Sequence, residues 1–156
     1  MRAVTVCQPY AELIAAGVKL VENRTWPTKY RGRLLIHAGR SRDWMSTRVV
    51  DGVEFCAHTQ KPVDLLAFGA VIATVTLLDC LPIEEIRAGK HDDRFPWLNA
   101  HEHTEGPFCW IFDKGVTRFE KPLQYRGKQG LFDINPLDLQ RIAAEQALRA
   151  TSHNPS

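Results

Sequence analysis

Three side chains close together in the sequence have the types and spacing for anion chemistry: Lys19, Glu22 and Arg24. On a regular strand side chains alternate between faces, so Leu20, Glu22, Arg24 and Trp26 share one face. Glu22 then stands beside Arg24 and holds its guanidinium in one orientation, as a rigid fork for phosphate. Lys19 precedes the strand, at a turn released by Gly17, and is expected to project at the mouth of the fold as a mobile point charge. The plainer reading of the same residues is a structural Glu–Arg pair beside an exposed lysine.

Other constellations are weaker. His101-Glu102-His103, with His91, Asp92 and Asp93 nearby, invites a metal. The spacing matches neither H-E-x-x-H nor the deaminase pattern, so a polar loop is expected and no metal. Trp97 or His103 on that loop would be placed to reach a base. His37, in the run Arg33 to Ala38, shares a face with Arg33 and Leu35 and either lines a cleft or sits satisfied in the core. Ser41 and Ser46 lack a nucleophile-elbow context. There is no glycine-rich phosphate loop or dinucleotide fingerprint, so no cofactor is expected.

Charge is unevenly spread. The chain carries a net +2, yet Lys19 to Arg48 holds eight basic residues against Glu22 and Asp43, a local +6. A cluster this one-sided repels itself unless it is solvated or meets an anion. It is interleaved with Trp26, Tyr30 and Trp44, a mixture suited to phosphate contacts beside base stacking. Cys7, Cys56, Cys80 and Cys109 are widely spaced and read as reduced thiols of a cytoplasmic protein. The longest apolar run, Leu65 to Leu78, is too short to span a bilayer, and no signal peptide is evident, so no membrane partner is expected.

The elements that must position these residues follow from pattern. Ala3 to Val6 reads as a strand, and Pro9 opens a helix that Gly17 stops. Lys19 to Trp26 and Arg33 to Ala38 read as strands, and Ser41 to Gln60 as a helix loosened at Gly52. Phe68 to Leu81 is apolar on both faces, like a central strand. Pro82 to Ala88 is a short helix and Lys90 to Gly106 a long loop. Phe108 to Phe112, Thr117 to Tyr125 and Leu131 to Ile134 are strands. Pro136 to Ala150 is a final helix with Leu137, Ile142, Ala143 and Leu148 on its apolar side, after which the chain frays. At 156 residues, one domain accommodates all of this, with a core over about 3–134. Short strands without β-α-β alternation predict an α+β fold, a mixed barrel flanked by helices.

The ordered motifs resemble those of the ASCH family (activating signal cointegrator homology). Gly17-x-Lys19-x-x-Glu22-x-Arg24 is similar to the family's G-x-K-x-x-E-x-R signature. Gln8-Pro9-Tyr10-Ala11 looks like its Q-P-W-A opening, with tyrosine for tryptophan. Arg31-Gly32-Arg33-Leu34 resembles its R-G-R-L strand entry and Phe68 to Leu81 its central strand. Gly106-Pro107-Phe108 and Gly127-Lys128-Gln129-Gly130-Leu131 resemble its closing strands. The resemblance implies a PUA-like barrel with a cleft between the first helix, the signature strand and neighbouring loops. It also implies a functional range: RNA binding, association with DNA, ribonuclease activity, or amidohydrolysis of N4-acetylcytidine. In the amidohydrolases a lysine matching Lys19 is essential, with a threonine and a later glutamate. The threonine position here is Glu22, and an adjacent carboxylate favours a charged lysine over a nucleophilic one.

Two expectations result. The first is a binding module for RNA, DNA or a nucleotide. Its basic cleft is built from Lys19, Arg24, Trp26, Arg31 and Arg33, with Tyr10, Trp26 or Tyr30 stacking on a base and His37 in the wall. The second is an enzyme, an amidohydrolase or ribonuclease. Lys19 would then be its base or nucleophile, and Glu22 or Asp79 its proton-handling partner. A weaker third is a protein-interaction adaptor using the long loop and the last helix.

Overall fold

The structure is a computed structural model in which residues 1–152 are described. Strand β1 (Arg2–Val6) leads into helix α1 (Tyr10–Ala15), then β2 (Val21–Arg24) and β3 (Gly32–Ala38). A hairpin of β4 (Thr47–Val50) and β5 (Val53–Cys56) and a 3-10 turn at Val63–Leu65 precede the long β6 (Ala70–Pro82). Helix α2 (Ile83–Arg87), β7 (Phe108–Phe112), β8 (Thr117–Gln124), β9 (Leu131–Asp133) and α3 (Pro136–Ser152) complete the order. The expected fraying falls largely beyond Ser152, outside the described residues.

Seven strands form one sheet in the order β2-β7-β6-β3-β1-β9, with β8 also on β6. Strand β6 organises it because it is long enough to serve three partners. One edge pairs β3 along Ala70 to Leu77, while the other pairs β8 through its first half and β7 through its second. Its near-continuous apolar sequence fits this central place. The class is α+β, as expected, but the sheet does not close into a barrel. Its terminal strands β2 and β9 span four and three residues, and neither pairs with the other. The main core packs α1 against β1, β3, β6 and β7 through Ile14, Leu34, Ile36, Ile72, Trp110 and Phe112.

Two further sequence expectations fail. Residues 41–60 form the β4–β5 hairpin, not a helix. Asp51 and Gly52 both have positive φ, the two-residue turn that an Asp-Gly pair between β-branched runs favours. On α3, Leu137 and Leu148 face solvent and Leu139 is the buried anchor, because the helix touches the sheet mainly at its first turn and along β8. No helix among the described residues is long and apolar enough to cross a membrane.

Candidate functional site

Helix α1 is pinned before it delivers anything to a site. The buried Gln8 side chain donates to the Ala67 carbonyl at 2.8 Å and accepts the Glu12 backbone N–H at 3.0 Å. Buried Glu12 binds Lys61 at 2.5 Å and Arg118 at 2.7 Å. Burial opposes ionisation of Glu12, but the hydrogen bonds from Arg118 and Lys61 outweigh it and hold the carboxyl below its ordinary pKa. Past Ala16 the chain reverses at Gly17, φ +75°, and the N–H groups of Val18 and Lys19 both donate to the Leu13 carbonyl. The reversal turns Lys19 back under Tyr10, its Nζ 5.3 Å from the ring centroid.

Lys19 therefore does not project at a mouth: it is 3% exposed. Its Nζ lies 3.9 Å from Glu22 Oε1, and Arg24 Nη2 lies 3.8 Å from Glu22 Oε2. The expected same-face Glu22–Arg24 pairing is thus present, with buried Lys19 and Glu22 and half-buried Arg24 forming a triad. Burial pushes the Lys19 pKa below its ordinary value, against the opposing pull of Glu22. Desolvation of the amine outweighs the adjacent carboxylate, the reverse of the balance expected from sequence. Arg24 Nη2 also donates to the Thr5 carbonyl, and its guanidinium lies 5.9 Å from the Trp110 ring.

The triad floors an inner pocket of about 350 Å³, walled by Thr5, Cys7, Tyr10, Asn23, Trp44, His103 and Glu105 among others. Asn23 builds its far side. The Asn23 amide donates to the His103 carbonyl at 2.8 Å, and its oxygen accepts the N–H groups of Glu105 and Gly106. Phe95 and Leu98 anchor the 90–106 segment beside Val21 and Ile86, while most of its other residues stay exposed. His101 Nε2 accepts the Leu20 N–H at 3.1 Å, and its ring stacks edge-on with Trp97 and His103. Burial lowers the pKa of His101 and His103, and Lys19 adds to the effect.

Arg24 and Thr5 also line a second, wider cleft of about 930 Å³, so the two cavities share a wall. The other lining residues are Trp26, His37, Gly39, Arg40 and the segment Arg126 to Gly130. Trp26 is half-buried, edge-on against Trp110 at 4.9 Å. The inner pocket mixes charges; the outer cleft is lined by four cations and no carboxylate.

Of the sequence-derived candidates, the structure gathers Tyr10, Lys19, Glu22, Arg24, Trp26 and His37 around this double cavity. Arg31, Arg33 and Tyr30 line neither. Arg31 donates to Asp79 at 2.8 Å, and Asp79 also takes Arg94 at 2.7 Å. Asp79 is thereby committed to a surface bridge, away from the role of proton-handling partner. Burial acts against its ionisation, yet the Cys80 N–H and the two arginines hold its carboxyl below the ordinary range. Tyr30 donates to the Arg33 carbonyl. Sequence reasoning missed Asn23, Glu105, Arg126 and Lys128 as site residues. The glycine-flanked cations of Arg126 to Gly130 are the signal that could have found the last two.

A profile of the ASCH domain matches residues 4–123, most of the chain. The chain belongs to the ASCH family. It is 28% identical over 113 residues to human Activating signal cointegrator 1, covering 69% of this chain and 18% of the human protein. The mouse protein of the same name is 28% identical over 109 residues, covering 67% of this chain and 17% of that protein. The chain thus spans less than a fifth of the length of these relatives. Among solved structures, an ASCH mutant protein from Zymomonas mobilis aligns with a TM-score of 0.50 at 15% identity, covering 92% of this chain and 96% of that one. A second mutant of that protein gives 0.50 at 14% identity, covering 92% and 94%. At that identity the likeness of these ASCH structures shows the fold alone.

Proposed function

We propose that this ASCH chain binds single-stranded or locally unpaired nucleic acid, with one nucleoside in the inner pocket and its phosphate on Arg24. The observation that carries the reading is the shared wall: Arg24 and Thr5 belong both to a smaller mixed-charge pocket and to a larger cationic cleft. A base needs hydrogen-bond partners and a ring to lie against, and a backbone needs cations. The inner pocket offers the Lys19 ammonium, the Glu22 and Glu105 carboxylates and the Tyr10 and Trp44 rings. Trp44, 63% exposed on the segment leading into β4, is available for stacking. Carboxylates in the pocket disfavour a phosphate there and leave it for Arg24.

Fluorescence anisotropy with short single-stranded RNA and DNA at two salt concentrations tests this. Binding is expected to weaken with salt, and Trp44→Ala and Arg24→Ala are each expected to weaken it about tenfold, in keeping with the loss of a stacking contact or a phosphate contact. Wild-type affinity in both variants would overturn the site.

A second reading rests on one observation, the pKa of Lys19 lowered by burial. A lysine moved towards its neutral amine is a better base or nucleophile, which favours an amidohydrolase acting on an acylated nucleoside in the same pocket. Turnover of N4-acetylcytidine that disappears in Lys19→Ala would establish it. No turnover by pure protein would leave binding alone.

A further inference from the structure

We propose that the loop Arg126 to Gly130 is the phosphate track of a bound strand, held in place by His37, so that the ligand is a polynucleotide and not a free nucleoside. This rests on the nucleic-acid reading above and extends it to a part of the surface with which that reading dispenses, because one nucleoside and its phosphate need only the inner pocket and Arg24.

The track is recognisable by the convergence of its cations on one cleft. Arg31, Arg42, Arg94, Arg118 and Arg141 are each paired with a carboxylate. Among the described residues Arg33, Lys114 and Lys121 have no such pair, and neither do Arg40, Arg126 and Lys128, but the latter three converge with the Glu22-paired Arg24 on one concavity of about 930 Å³ without an acidic group in its lining. Four cations exceed what a single phosphate requires, and unpaired like charges gathered in a cleft raise the local potential for a polyanion. Trp26 on the same wall gives a base between phosphates an apolar surface.

The loop is also built, not merely exposed. A β-bulge between Ile36 and His37 re-aims the imidazole, which is 2% exposed and therefore does not itself meet a ligand. His37 Nε2 lies 2.7 Å from the Tyr125 carbonyl, and Nδ1 lies 3.1 Å from Thr5 Oγ1. The Thr5 hydroxyl is in turn 3.2 Å from the Lys128 carbonyl. The imidazole thus ties the Tyr125 end of the loop to β3, and from β1 the Thr5 hydroxyl, with one proton to give, reaches either His37 Nδ1 or the Lys128 carbonyl. Gly127 lies flat on the imidazole: a Cβ there would sit 2.5 Å from His37 Cε1 and 2.7 Å from Thr5 Oγ1. Arg40, also in the cleft lining, crosses Gly69 less closely, its Nε 2.9 Å from where a Cβ would stand. His37 is a positioning residue, and the cations it places do the binding.

The test measures affinity for a labelled 12-nucleotide single strand and for a mononucleotide, each over a range of salt. Arg126→Ala/Lys128→Ala is expected to lower strand affinity at least about twentyfold at low salt. It should also flatten the slope of log affinity against log salt by about 1.4, at roughly 0.7 for each lost single-strand phosphate contact. Mononucleotide affinity should stay within about twofold, since those contacts lie outside the inner pocket. Gly127→Ala and His37→Ala should flatten the slope in the same way with all cations present, and His37→Gln, which keeps a donor for the Tyr125 carbonyl, should restore it. A slope unchanged in the double variant, or equal losses for strand and mononucleotide, would overturn the track. A slope unchanged in both Gly127→Ala and His37→Ala would overturn the role of His37. A polyglutamate peptide binding as tightly as the strand would overturn the assignment to nucleic acid. Wild-type protein that binds the mononucleotide but gains nothing from length defeats this inference alone, whereas wild-type protein that binds neither defeats the underlying reading as well.

Discussion

The two cavities that meet at Arg24 use charge in opposite ways. In the inner pocket Lys19 and Arg24 share the Glu22 carboxylate, so their charges are partly compensated before any ligand arrives. In the outer cleft Arg40, Arg126 and Lys128 are exposed and uncompensated. Compensated charges are held by the fold and removing one disturbs it; uncompensated charges cost the fold little and act on what comes from outside. The same distinction separates Arg31, locked to Asp79, from Arg126, although sequence alone presents them as equivalent surface arginines.

The contrast can be broken most visibly at Glu22. Removing a buried counter-charge leaves Lys19 and Arg24 facing each other, and Glu22→Ala is expected to cost about 3 kcal/mol in urea unfolding. The double change Lys19→Met/Glu22→Leu should recover only the part due to Lys19, since an apolar pair replaces that ion pair while Arg24 still loses its carboxylate. A Glu22→Ala variant as stable as the wild type would mean that the inner charges are not coupled. Next in size is Gly127→Ala, where the added Cβ meets the His37 ring and the loop must shift, at about 1–3 kcal/mol by thermal or urea unfolding. Arg126→Ala/Lys128→Ala, by comparison, should change stability by less than about 0.5 kcal/mol.

A pH titration sharpens the comparison without any mutation. Burial lowers the pKa of His37 beside the outer cleft and of His103 and His101 at the inner pocket, each from an ordinary 6.5. Below that value the unfolded chain binds protons that the folded one refuses, so stability is full above about pH 6.5 and falls as the pH drops. Urea midpoints should therefore be lower at pH 5.5 than at 7.5, and His37→Gln should reduce the difference. A flat profile would show that these rings protonate as freely in the fold as outside it. A small effect is expected at Arg31→Ala: at most about 1 kcal/mol, because the bridge is partly exposed and Arg94 keeps Asp79 paired. Strand affinity should be unchanged there, and a loss would return Arg31 to the binding surface.

Much of this was legible in the sequence, for reasons specific to each element. Gly17 marked the end of α1, the apolar run of β6 marked the centre of the sheet, and alternation placed Glu22 beside Arg24. The depth of Lys19 was not legible, because it depends on the Gly17 reversal passing under a helix that Gln8 and Glu12 pin to distant residues. The hairpin at 47–56 was misread although Asp51-Gly52 between valines signals it, since apolar spacing alone also fits a loose helix. Asn23 looked like one polar strand residue among several; only the return of the 90–106 segment, some eighty residues later, gives it partners. Lys128 stands inside what reads as a closing-strand motif, and Arg126 in the short link before it.

The central claim is that the two cavities act on one ligand. Amide and indole chemical shifts of the protein titrated with a short single-stranded oligonucleotide test it most directly. The account predicts that the Trp44 and Trp26 indoles and the Tyr10, His103 and Arg126 to Gly130 amides shift together along one saturation curve. Shifts confined to one cavity, two separate curves, or changes centred on the exposed face of the β4–β5 hairpin would contradict it.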